Sequence, residues 1–152
     1  MVFYFWAFLI GAVSGLRALT GLAAVSWATH LGWLHLEGTK LAFLGNIVTI
    51  SIVTILALVE LVTDQLPKTP SRTVPMQFGA RVVTGALCGA ALGAADQKLI
   101  AGVTLAILGS VAGTLGGAKA RALLANAFGV DTPAALLEDL IAISLAFVVV
   151  SR

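Results

Sequence analysis

The stretch "SGLRALTG", residues 14–21, sets an arginine inside an otherwise apolar run, and "FGARVVTG", residues 78–85, repeats the pattern. How the chain houses Arg17 decides the fold. The surrounding run extends from residue 2 to about 33. At ~1.5 Å per residue such a helix is ~48 Å long, too long for one simple crossing of ~30 Å of hydrocarbon. A break near Gly15-Leu16-Arg17 resolves this. It makes two half-helices, either a bent span or a re-entrant hairpin. Irregular backbone at that depth is tolerable only where protein or water covers it.

Outward from this stretch the whole chain is apolar. Of 152 residues, 59% are hydrophobic and 11% charged, and the mean hydropathy is +1.04. A soluble domain of this size cannot cover itself with so little charge. The apolar runs are continuous and do not alternate, which argues against a β-barrel. The reading is an all-α membrane protein with about five transmembrane helices, the first broken or re-entrant near Gly15-Arg17. It forms one polytopic domain, 1–152, with no signal peptide apparent. A net charge of +2 gives no reason to expect nucleic-acid binding. Cys88 stands alone, so no intrachain disulfide forms.

Further apolar segments cover 41–59, 78–95, 99–118 and 133–150. The stretch "DQLPKTPSRTVP" holds three of the four prolines and reads as a loop. In "DTPA", Asp131 or Thr132 is placed to cap the last helix, with Pro133 in its first turn. Gly15, Arg17, Thr20 and Gly21 match Gly79, Arg81, Thr84 and Gly85. Each motif precedes a loop, a Lys-Leu pair and another apolar helix. This reads as a duplicated helix pair, with halves of about 15–64 and 79–121 and an extra C-terminal helix.

Gly85, Gly89 and Gly93 recur at spacing four, as do Gly109, Gly113 and Gly117, while Gly11 and Gly15 form a shorter pair. That spacing lines one helical face and lets backbones approach closely. Packing within the chain is the plain reading. A homo-oligomer is the further expectation, because so few helices enclose little on their own.

The charges mark the functional candidates. Glu60 and Asp64 sit at a helix C-terminus, where the macrodipole disfavours acids by up to ~1 kcal/mol. Glu138 and Asp139 have only about eleven residues after them, too few to cross, so they lie one to two turns below the surface. A charge there costs at least ~2.5–3.5 kcal/mol unless it is partnered. With ordinary crossings Glu60, Asp64, Arg81, Lys119, Arg121, Glu138 and Asp139 share one face, and a hairpin tip brings Arg17 to their level. Four acids then meet four bases as an ionic or solute-binding network. Lys68, Arg72, Arg81, Lys119 and Arg121 outnumber Lys40, Lys98 and Arg152 opposite, so the positive-inside rule puts the network on the cytoplasmic side.

"GAVSGLRAL", "LVELVTDQLP", "GAKARALL" and "LLEDLIAISLAF" resemble, in order, the landmarks of a bacterial integral-membrane family filed as domain of unknown function four-one-two-six. The likeness covers nearly the whole chain. It implies a bacterial inner-membrane location and marks Gly15, Arg17, Glu60, Asp64, Pro67, Lys119, Arg121, Glu138 and Asp139. Many members have proline where this chain has Arg81. The resemblance carries no activity.

No nucleophile elbow, P-loop or zincin motif is present, and His30 and His35 lack metal-ligand company, so neither a cofactor nor a resident metal is expected. Glu60 and Asp64 would hold a divalent cation only with further donors such as Glu138 and Asp139. Trp6, Trp27 and Trp33 read as packing or interfacial anchors. Three functions fit. A small transporter or channel for an ion or a polar or anionic solute fits most features. A non-catalytic assembly subunit comes next, and an enzyme acting on a lipid head group last. Membrane lipids and the solute are the partners implied.

Overall fold

The computed structural model describes residues 1–66 and 71–152. Pro67 and Lys68, singled out above, lie outside the described residues. The described chain is all helical: α1 (Val2–Leu16), α2 (Ala18–His30), a 3₁₀ turn (Ala42–Gly45), α3 (Ile47–Thr63), α4 (Pro75–Ala95), α5 (Leu99–Phe128) and α6 (Thr132–Val150).

Local chemistry sets the boundaries. Asn46 caps α3 by accepting the Val48 N–H at 2.9 Å. Pro75 opens α4 at its first turn, where a missing N–H costs nothing. Gly129, at φ 75°, ends α5 in the left-handed conformation. That helix runs ten residues past the expected end near 118, because "KARALLANAF" contains strong helix formers and no breaker.

The expected break is at Arg17, whose backbone is extended (φ −139°, ψ 115°). Of the two forms considered, the hairpin is the one adopted. Gly21 of α2 lies against Ser14 of α1, where a Cβ would stand 2.7 Å from the serine Oγ. The open ends sit together. Lys98 lies over the Phe3 and Tyr4 rings, Arg152 lies over Trp6, and Leu34 and His35 line one pocket with Asp96 and Arg152. The tip, Arg17, reaches the opposite end of the bundle.

Three helices, α4, α5 and α6, are long and apolar enough to cross a membrane, while α1 and α3 are shorter apolar helices. The five crossings expected thus divide into three full-length helices, a hairpin and α3. At 17 residues α3 is about 25 Å long. Its outer face carries Ile47, Val48, Ile52, Ile55, Leu58 and Val62, all exposed and none charged, as a lipid-facing surface requires. At 30 residues α5 is about 45 Å long and extends past the core at the tip end of the hairpin.

The glycines are used inside the chain. A Cβ on Gly11 would strike the Ala106 carbonyl, and one on Gly109 the Phe8 carbonyl; Gly15 and Gly113 likewise admit α5 and α1 to each other. Gly85, Gly89 and Gly93 do the same for α4 against Ser110, Gly102 and Leu99. Gly117 makes room for Leu16, Arg72 and Glu138. Seven of the eight therefore act in the close packing of α1, α4 and α5, and Gly117 instead leaves space for side chains of the charged cluster.

Candidate functional site

Breaking a helix at Arg17 frees carbonyls at the end of α1 and N–H groups at the start of α2. Buried away from water, each unpaired group costs about 1–3 kcal/mol. Charged side chains from other helices take them. The Ala18 and Leu19 N–H groups donate to the two carboxylate oxygens of Glu60, at 2.7 and 2.8 Å. Arg81 Nη1 donates to the Leu16 carbonyl at 2.6 Å and to that of Gly15 at 3.2 Å, where Thr114 Oγ1 also donates at 3.1 Å. Glu60 sits poorly at the end of its own helix but well at the positive N-terminus of α2.

Arg17 itself is fully buried. Its guanidinium donates to Asp64 and makes an ion pair with Asp139. Asp64 is shared, since Arg81 Nη2 donates to the same oxygen at 3.4 Å and lies 3.9 Å from Glu60. Gln65 Nε2 donates to Asp139 at 3.3 Å. Four helices and the hairpin tip thus meet at one depth.

A second group adjoins it. Arg72 pairs with Glu138 through both guanidinium nitrogens, one of them at 2.7 Å. Arg121 Nη1 stands 3.6 Å from Glu138, and its Nη2 donates to the Asp64 carbonyl at 3.0 Å. Arg121 also grips Asp131, with Nε at 2.9 Å and Nη2 at 2.5 Å. The Arg121 hydrogen bond, aided by its charge, holds the Asp131 carboxyl below the ordinary carboxylate range.

The structure brings together Arg17, Glu60, Asp64, Arg81, Arg121, Glu138 and Asp139. Lys119 does not join. It is exposed and makes no ion pair with a described residue. Arg72, read only as a loop cation, takes its place, so four acids do meet four bases, all arginine. Asp131 adds a fifth acid through Arg121. A planar guanidinium satisfies both oxygens of Glu138 where an ammonium is a single point. Asp131 is the N-cap residue of α6 by position, yet its side chain makes no cap bond and turns to Arg121 instead. Neither departure had a local signal, although the motif "SR" in a turn-rich loop above four acids was a hint for Arg72.

Arg81 and Arg17 occupy matching sequence motifs in unlike settings. Arg17 lies at a helix break, Arg81 within unbroken α4. Gly15 is wedged against α5, while Gly79 has no described atom within 4 Å of where a Cβ would stand. Among the described residues no three His, Cys, Asp or Glu side chains gather as cation ligands. The acids point at arginines and backbone amides, so the four-carboxylate cation site considered above is not assembled. Arg17 Nε and Arg81 Nε, both buried, have no hydrogen-bond partner among the described residues.

A family model described as "Domain of unknown function (DUF4126)" matches residues 5–151, and the chain belongs to that family. Comparison with curated proteins and with solved structures found no match.

Proposed function

We propose that this membrane protein is a small transporter or channel for an ion or a small polar or anionic solute, with the arginine–carboxylate network as its working part. One observation carries the reading. The free backbone ends of a broken helix, buried inside the bundle, are held by the ionisable side chains Glu60 and Arg81. Discontinuous helices whose ends meet charge at membrane depth are a device of solute sites. Neutralising or re-pairing Glu60 releases the N-terminus of α2, which couples charge at the site to movement of the hairpin. The unused Nε donors of Arg17 and Arg81 favour an anionic or polar solute.

A second reading has its own support. Glu138 and Arg72 form a two-pronged buried pair, the kind that fixes helix register without moving anything. In that case the chain is an assembly subunit.

Purified protein in sealed vesicles distinguishes the two. Under transport, radiolabelled small anions or alkali cations, or a proton-sensitive dye, report flux that Glu60→Gln abolishes while the variant still inserts. Wild-type vesicles as tight as empty ones towards the whole panel refute the transport reading and favour the structural one.

A further inference from the structure

We propose a second site, at the face opposite the network, that holds one zwitterionic aminophospholipid. Its chain compartment is an open cavity of about 380 Å³ between α2, α3 and α6. Small residues make the space: Ala23, Ala24 and Ala28 on α2, Ala57 on α3 and Ala146 on α6. The lining is otherwise hydrocarbon and indole apart from Thr20 and Thr54, and the Thr54 hydroxyl accepts the Trp27 indole N–H at 3.1 Å. Along α2 it extends from Thr20 to Leu31, about 16 Å at helical rise. That matches the ~15 Å of half a bilayer core. The cavity is therefore as deep as one leaflet and fits one acyl chain entering from that side.

What stands at its mouth names the head group. Trp33 and Val150 are walls of this cavity and also of a smaller one, about 170 Å³, that contains His35, Asp96 and Arg152. Trp33, half exposed and edge-on to Phe147, marks the interfacial depth where indoles settle. Beside it, Asp96 and Arg152 border the same small cavity and attract each other across it, yet they do not close into an ion pair, and neither forms one with any other described residue. The Arg152 Nε donates to the Val149 carbonyl at 3.1 Å and its plane lies over Trp6, and the Nη groups have no hydrogen-bond partner among the described residues. A negative and a positive side chain that border one polar cavity without closing on each other complement a ligand bearing both signs. Phosphate meets Arg152 and His35, and ammonium meets Asp96. A lone anion would leave Asp96 opposed, and an uncharged hydrocarbon would engage neither charge.

Native mass spectrometry of the detergent-solubilised protein tests this. The probes are a dioleoyl phosphoethanolamine lipid and its glycerol-headgroup, anionic counterpart with the same chains. The wild type retains one phosphoethanolamine lipid per chain, about tenfold more tightly than the anionic lipid. Ala24→Phe, at a half-exposed position on the groove wall, removes the adduct, and the smaller Ala24→Leu weakens it if the phenyl ring disturbs folding. Asp96→Asn, at an exposed position, leaves the chain folded and erases the preference between head groups. Retention of the lipid by both Ala24 variants overturns the chain site. Equal binding of the two lipids to the wild type overturns the head-group assignment. A dimer that Ala24→Phe disperses means that a second copy, and not lipid, fills the groove.

Discussion

Glu60→Ala removes the acceptor for the Ala18 and Leu19 N–H groups together. Both bonds are short and charge-assisted, and Ala18 is buried. Two orphaned N–H groups at about 1–3 kcal/mol each suggest a loss of about 2–6 kcal/mol. The unfolded chain in a bilayer also finds partners, which lowers such values, so the low end applies, about 2–3 kcal/mol. Glu60→Gln keeps one carbonyl oxygen to accept one N–H, and it is expected to lose about half as much. Hydrogen exchange followed by mass spectrometry in bicelles reads the effect where it arises. Local opening cheaper by about 2–3 kcal/mol speeds exchange at residues 18–19 by about 30- to 150-fold, since 1.4 kcal/mol is tenfold. Amides late in α2, near Thr29, change little. Unchanged exchange at residues 18–19 in Glu60→Ala would refute the view that this carboxylate holds the start of α2. Uniform acceleration along the whole chain would show global destabilisation instead, and equal effects of Ala and Gln would show that charge alone matters.

Three further outcomes follow from other parts of the structure. Removing one member of the buried Arg72–Glu138 pair, as in Arg72→Met, costs about 3–5 kcal/mol, whereas Arg72→Met with Glu138→Leu recovers most of it; unfolding by steric trapping in bicelles completes the double-mutant cycle. Gly89→Ala drives a methyl into the Gly102 carbonyl and abolishes monodisperse folding on size exclusion, while Gly79→Ala meets no described atom within 4 Å and raises thermal stability by up to about 1 kcal/mol. The Asp131 carboxyl titrates lower in the folded chain than in the unfolded one, so its contact with Arg121 stabilises above the ordinary carboxylate pKa and fades as pH falls through the lowered folded value. Because Asp131 is half exposed, Asp131→Asn changes melting temperature only slightly at neutral pH, and the difference from wild type vanishes in acid.

The glycines show how far one-dimensional pattern carries. Spacing of four was enough to mark the faces along which backbones approach. It did not say whose backbone, and α1 and α5 satisfy each other before any second copy is needed. The charges divide in the same way. That Glu60, Asp64, Arg81, Arg121, Glu138 and Asp139 gather at one end follows from helix length and crossing direction alone. That Glu60 serves a backbone and Asp64 a guanidinium depends on rotation about α3, which no periodicity in a uniformly apolar helix reports.

Composition and helix length were thus sufficient for the membrane class, the break at Arg17 and the end of the bundle where charge collects, because each follows from local steric rules and from the thickness of hydrocarbon. Partner choice was not open to that reasoning. Arg72 lies 66 residues from Glu138 and Arg81 lies 65 from the Leu16 carbonyl it holds. Lys119, on a helix that passes the network, faces outward instead. Ångström-scale placement of side chains from separate helices selects these pairs, and that placement exists only once the glycine faces have locked α1, α4 and α5 together.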